Sequence, residues 1–268
     1  MNESFSSLFT KKPVKTVAGD YYYDTDFDGD QFDESNREYW LNGRFAQIWN
    51  GKQTASNDMY KEIIRLFSGV TSPFLEIACG PGMGLAPLIL NRYPRLSCLA
   101  TDACSLVIES WREYIDKNLR EYDISLAQFS VMDIPLADCS FENVTSLIGL
   151  SSTRNGYDGL MKAIREIHRV LKCGGRLIAI ESDGWADIDA VKKAYDSWNP
   201  PLWKPFDDGD GETVTWKDKF TECGFEIESC DKSSYHKWSR SDNEFGEHAE
   251  KVGIEIGTVE RLYVLKKI

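Results

Sequence analysis

Phe74-Leu75-Glu76-Ile77-Ala78, running into Cys79-Gly80-Pro81-Gly82-Met83-Gly84, is the stretch on which the fold turns. Ser72-Pro73 breaks whatever precedes it, and four apolar residues in five then read as a short buried strand. The glycines at 80, 82 and 84 let the backbone turn tightly and come close to a ligand where a Cβ would collide. Their spacing is GxGxG. Dinucleotide binders carry GxGxxG, whose helix N-terminus holds a pyrophosphate. Glu76, four residues before the first glycine, would disfavour an anion and suit an ammonium or sulfonium. The next strand pattern ends at Asp102, twenty residues after Gly82, where a carboxylate can accept both hydroxyls of a ribose. The plainer reading is a tight turn and an exposed strand-end acid. Strand, glycines, helix and second acid in that order favour a ligand site.

Outward from this stretch the chain alternates between two periods. Met59, Ile63 and Phe67 lie at helical spacing before it. After it, 96–100 reads as a strand, and Ile108, Trp111, Ile115 and Leu119 mark one helical face. Residues 126–132 and 144–150 read as strands. Leu160, Ile164, Ile167 and Leu171 form another amphipathic face, closed by Gly174-Gly175 in the position of a helix C-cap. A fifth strand follows at 176–180. Such alternation predicts an α/β fold with a doubly wound, mostly parallel sheet. Thr215 is placed to cap a short helix through Cys223, with Gly224 ending it. The runs 225–229 and 259–265 have no helix of ordinary length between them, which predicts an antiparallel pair at the end of the sheet.

The chain has 268 residues, 31 Lys+Arg against 43 Asp+Glu, and a formal net charge of -12. Hydrophobic content of 42% suffices for a packed core and excludes wholesale disorder. No run approaches the roughly 20 apolar residues of a membrane span, and the start MNESFSSLFTKK lacks the apolar stretch of a signal peptide. The acidic balance disfavours a nucleic-acid backbone as partner, since phosphate binding is driven by Lys and Arg. Seven cysteines without a CxxC pair predict reduced thiols and no structural zinc, as in a cytoplasmic protein. One domain over 1–268 is expected: an N-terminal lid (1–57), a cofactor-binding core (58–181), and a substrate-cover segment with closing strands (182–268).

The blocks LEIACGPGMG, LATDACS, VMDIPLADCSFENV and IREIHRVLKCGGRLIAIES, taken as an ordered set, resemble the class I S-adenosylmethionine-dependent methyltransferases of the small-molecule and quinone/sterol type. The resemblance implies a seven-stranded Rossmann-like sheet with an antiparallel final strand, and S-adenosyl-L-methionine as cofactor. It implies that Glu76, Ala78, Gly80 and Gly82 hold the methionine part and Asp102 the ribose. Ala103 would lie against the adenine, Met132 and Asp133 would meet its edge, and the turn at Leu147 would close from the fourth strand. The family leaves a spacer between the third-strand acid and the turn after it, whereas Ile134-Pro135-Leu136 follows Asp133 directly. The adenine contact therefore falls on Asp133 or on Ser130, and Asp133 is preferred because it keeps a carboxylate acceptor. The family's His or Asn after the fourth strand is replaced by Ser151-Ser152-Thr153-Arg154-Asn155, and no catalytic residue is assigned there.

Other clusters are less specific. Asp24-Thr25-Asp26-Phe27-Asp28-Gly29-Asp30 matches the first half of an EF-hand loop. Gln31 and Ser35 then stand where an apolar residue and a bidentate Glu belong, so a solvated acidic loop is favoured and no metal is expected. The run 207–212 is a second acidic turn. Tyr23 and Arg44 belong to a zone that resembling enzymes use as a lid over the cofactor, and Arg44 could pair with a carboxylate. The alternative is an amphipathic helix packed on the sheet. Glu181 and Asp183 follow the fifth strand near Trp185, Trp198 and Trp203, as an aromatic, acidic pocket or as a second hydrophobic cluster. Glu181 and His236 are the weak candidates for a general base. His248 shares the zone of His236, and His168 reads as a surface or interhelical residue.

The expected activity is methyl transfer from S-adenosylmethionine to a small molecule or short peptide at N or O, with a neutral or cationic acceptor rather than a polyanion. The alternatives are a non-catalytic S-adenosylmethionine-binding regulatory protein and an RNA or protein methyltransferase. A nicotinamide-dependent oxidoreductase is disfavoured by GxGxG and Glu76.

Overall fold

The computed structural model describes residues 3–25, 34–51, 57–153, 155–198, 215–239 and 244–268. Ten strands make one sheet: β1 (Lys15–Val17), β2 (Asp20–Tyr22), β3 (Phe74–Glu76), β4 (Ser97–Asp102), β5 (Asp123–Gln128), β6 (Phe141–Leu147), β7 (Leu171–Trp185), β8 (Phe225–Ser229), β9 (Ser233–Lys237) and β10 (Gly257–Lys267). Their order is β1-β2-β5-β4-β3-β6-β7-β10-β8, with β9 also on β10. From β2 through β7 every pairing is parallel, and β10 runs antiparallel to β7, β8 and β9. Seven of these strands, β5 through β8 in spatial order, are the expected doubly wound core. The hairpin β1–β2 extends it past β5, and β9 shares β10 with β8.

Period-two alternation divides the core. Phe74, Cys98, Ala100, Ile178 and Ile180 face one cluster, which includes Met59, Ile63 and Ile89 and is built with the helices Asp58–Leu66, Ala86–Arg92 and Ser105–Asn118. Leu75, Leu99, Leu177 and Ala179 face the other, shared with Gly156–Val170 and Trp216–Glu222. Strands β3, β4 and β7 are thus buried on both faces, as the centre of a parallel sheet requires.

The N-terminal zone packs against the core. Phe45 and Trp49, one helical turn apart, are both buried, and the Phe45 ring lies 4.1 Å from that of Trp111. The hairpin is fixed by Asp20, wholly buried, whose two oxygens accept Nε and Nη2 of Arg112 at 2.7 Å each.

Several boundaries differ from the sequence reading: β6 begins and ends three residues earlier than 144–150, and β7 extends past 176–180 to include Glu181 and Asp183. β5 stops at Gln128, so Ser130, Val131 and Met132 belong to a turn. Gly174-Gly175 does not cap a helix: the helix ends at Val170 and Leu171 is already extended, paired with Phe141 across β6. Gly174 instead takes φ +75° at an irregularity inside β7. Between β8 and β10 lie β9 and an eight-residue helix, Glu244–Lys251. The short helix is as predicted from Thr215, whose side chain forms a capping box with Asp218. No helix among the described residues is long and apolar enough to cross a membrane.

Candidate active site

The chain leaves β3 through a turn that only a special backbone can make. Ala78, Gly80, Met83 and Gly84 all have φ between +46° and +54°. Gly84 is required by close approach: a Cβ there would stand 1.8 Å from Glu76 Oε1. Glu76 itself is fully buried beneath the turn, its Oε2 accepting the Thr145 hydroxyl at 2.6 Å. Gly80 and Gly82 are the opposite case. A Cβ at either would meet no protein atom within 4 Å, because both border an open cavity.

Asp102 ends β4 and joins two turns. Its Oδ2 accepts Gly80 N–H at 2.8 Å and its Oδ1 accepts Cys104 N–H at 2.9 Å. Burial pushes its carboxyl up, and these backbone donors pull it back. The carbonyl of Gly80 is held too, by the indole N–H of Trp111 at 3.1 Å. Periodicity marked Trp111 only as apolar. The signal for more was its indole N–H, which needs a partner when buried.

The cavity has a volume of about 510 Å³ and lies at the C-terminal ends of β3, β4, β5 and β6. The chain crosses from β3 towards β4 on one side and from β6 towards β7 on the other, so this is the switch point of the sheet. The volume falls in the range of small-molecule and cofactor sites. Ala78, Gly80, Gly82, Asp102, Ala103, Met132 and Leu147 line it, and Glu76 lies behind the lining. The turns after β3 and β6 pack on each other there: a Cβ on Gly149 would come within 2.8 Å of Ala78 Cβ.

Other expected residues lie elsewhere. Asp133 does not line the cavity; its side chain is 65% exposed and pairs with Lys11. Ser130 lines it instead, its hydroxyl accepting Met132 N–H at 3.2 Å, because β5 ends early enough to carry the turn past the carboxylate. Tyr23 is buried with its hydroxyl on Lys11 O, and the cavity is reached two residues later by Thr25, bonded to Ala103 O at 3.0 Å. Arg44 is exposed, its guanidinium 5.7 Å over the Trp40 ring, outside the lining. His236 is exposed on β9, and His248 meets Ser197 Oγ at 2.9 Å; neither borders the cavity. Trp185 and Trp198 pack with Phe245 in a satellite cluster. Trp203, the run 207–212 and the acidic loop beyond Thr25 lie outside the described residues.

Glu181 is wholly buried and does not border the cavity. Its Oε1 accepts Leu150 N–H at 3.1 Å and Ser146 Oγ at 3.3 Å. Its Oε2 accepts Ser151 N–H at 3.0 Å and Ser151 Oγ at 2.6 Å. Burial raises this carboxyl to about 7 against the pull of those donors. Asp183 is held by Arg261 and Tyr263.

Residues 75–179 match a family model described as a methyltransferase domain. A ubiquinone/menaquinone biosynthesis C-methyltransferase of Geotalea uraniireducens is 27% identical over 107 residues, 40% of this chain and 44% of that protein. Its namesake from Dinoroseobacter shibae is 27% identical over 134 residues, 48% of this chain and 51% of its own length. The chain thus spans about half the length of the curated relatives it matches. An S-adenosylmethionine-dependent methyltransferase structure from Methanosarcina mazei superposes with a TM-score of 0.53 at 19% identity, covering 77% of this chain and 97% of the other. The glycine turn, the strand-end aspartate and most of the switch-point cavity fall within 75–179, so this part of the chain is similar to a methyltransferase domain, and the sheet shares the fold of the Methanosarcina mazei structure.

Proposed function

We propose that the chain binds S-adenosylmethionine in this cavity and transfers its methyl group to a small-molecule or short-peptide acceptor, at nitrogen or oxygen. The observation that carries the reading is the juxtaposition of Gly80, Gly82 and Asp102 on one cavity wall. The open space at both glycines fits a ligand pressed against backbone. When bound, S-adenosylmethionine supplies a methyl group already activated by the sulfonium charge. What this chain adds is placement and exclusion of water. Asp102 uses one lone pair of each oxygen on Gly80 and Cys104, which leaves capacity on both for a ribose diol. Glu76 sets a carboxyl beneath the turn that would hold the cationic end. Ala103, Ser130 and Met132 border the part of the cavity where an adenine would lie.

The net charge of -12 supports a neutral or cationic acceptor over a polyanion. The family match covers 75–179, the cofactor half, so a carbon acceptor like that in the relatives' names does not carry over by similarity. The test is calorimetry with S-adenosylmethionine, then labelled methyl transfer to matched amine, phenol, carboxylate, quinol and RNA acceptors. Turnover of an amine or phenol supports the reading. Preferential turnover of RNA or of the quinol overturns the acceptor class, and binding without turnover of any acceptor favours a regulatory protein.

A further inference from the structure

We infer that Glu181 is a positioning residue: its carboxylate clamps the turn after β6 and thereby sets one wall of the proposed cofactor cavity. All four of its hydrogen bonds come from Ser146, Leu150 and Ser151. These flank Leu147, Ile148, Gly149, Ser152 and Thr153, each of which borders the cavity. The turn is costly to hold otherwise. Ile148 has φ +56°, a left-handed conformation that a β-branched residue rarely adopts, and Gly149 lies against Ala78 with no room for a Cβ.

A buried carboxylate is itself expensive, and a cation usually offsets the cost. Among the described residues no ion pair reaches Glu181. Arg261, its partner across the β7–β10 register, spends its guanidinium on Asp183 and on Cys230 O. A carboxylate offers about four lone-pair sites, and here all four are taken by the end of β6 and the turn that follows it. The two backbone N–H groups bond different oxygens, so a Gln amide would turn an NH2 towards one of them, and an apolar residue would accept neither. Glu181 also stays behind the cavity wall, which argues against a role as the general base.

The inference rests on the cofactor reading for its consequence, not for the clamp itself, and the experiment separates the two. In the cofactor-free full chain, Glu181→Gln is expected to speed hydrogen exchange in 146–153 by about tenfold or more while β3 and β4 keep wild-type protection. Calorimetry with S-adenosylhomocysteine is expected to give about a tenfold weaker Kd in the same folded variant. If Glu181→Gln does not fold, Ser151→Ala removes one donor and is expected to move both readouts in the same direction by a few fold. Unchanged exchange in 146–153 overturns the clamp whatever the ligand does. Faster exchange with an unchanged Kd overturns the role in setting the cavity. A wild-type chain that binds neither S-adenosylmethionine nor S-adenosylhomocysteine defeats the functional reading, and the exchange data still decide the clamp.

Discussion

The hairpin β1–β2 and the turn after β6 both bury a carboxylate completely, and they hold it in different ways. Asp20 meets a guanidinium through two bonds of 2.7 Å, with Leu126 N–H adding a longer one. Glu181 meets four dipoles and no cation among the described residues. Burial raises both carboxyls. At Asp20 the charge of Arg112 pulls back; at Glu181 only neutral donors do, and the carboxyl reaches about 7. The first arrangement joins segments 92 residues apart and lies away from the cavity. The second shapes the cavity. The contrast separates a staple, whose value is rigidity, from a clamp that can gain or lose a proton near neutral pH with little movement of heavy atoms. Two of the clamp's donors are hydroxyls that can turn round to accept, and two are backbone N–H groups that cannot.

Breaking the staple is expected to have the largest effect. Arg112→Ala leaves Asp20 buried and unpaired, which costs on the order of 3–5 kcal/mol of unfolding free energy. Urea denaturation reads this directly. The double change Asp20→Leu with Arg112→Met is expected to recover most of it, since apolar residues of similar volume need no partner. A loss below about 1 kcal/mol in the single variant would place the pair among surface ion pairs and remove one side of the contrast.

The clamp is expected to reveal itself through pH. An unfolded glutamate titrates near 4.5 and the native Glu181 near 7, so between those values the native state holds the extra proton. Stability from this group is therefore complete below 4.5 and falls as pH rises through 7, by up to about 3 kcal/mol. Burial also raises Asp102 and Asp20, which slope the same way. The informative quantity is the difference between wild type and Glu181→Gln in urea midpoints from pH 5 to 8. Parallel curves would show that Glu181 does not titrate in this window.

How much of this was legible in the chain follows from the range of each interaction. The strand at Phe74, the glycine turn and the acid at the end of β4 are written in adjacent residues, so their pattern reports them. The same holds for the Thr215 capping box. The staple and the clamp are not written that way, because Asp20–Arg112 and Ser146–Glu181 are pairs brought together by the sheet. At the N-terminal helix the register hides the apolar face: Tyr39, Gly43, Ala46 and Asn50 lie at helical spacing without a strong apolar face, while the buried pair is Phe45 and Trp49. At Leu171 the strand pairing to Phe141 overrode a glycine pair with the look of a cap.

A smaller effect is expected at Asp102, the carboxylate that lines the cavity. Asp102→Ala removes the acceptor for a ribose and two backbone bonds, so cofactor affinity is expected to fall by about 1–3 kcal/mol in a folded protein. Calorimetry at one pH measures it. Affinity equal to wild type would remove Asp102 from the site and leave it a joint between turns, a third way of burying a carboxylate.

The smallest effects test the turn after β5, where a carboxylate was expected and a hydroxyl borders the cavity. Asp133 is mostly exposed and pairs with a half-exposed Lys11, so Asp133→Ala is expected to leave cofactor affinity within about twofold of wild type. Ser130→Ala removes a hydroxyl that both borders the cavity and accepts Met132 N–H, and a loss of about two- to tenfold is expected. The order of the two variants matters more than either size. Ser130 can act on a ligand only if β5 ends at Gln128 in solution as it does here. A strand continued to Met132 would carry the chain four residues further before turning and bring Asp133 to the cavity in its place. A larger loss at Asp133 than at Ser130 would therefore report a different strand end, and with it a charged rather than a neutral contact for the adenine.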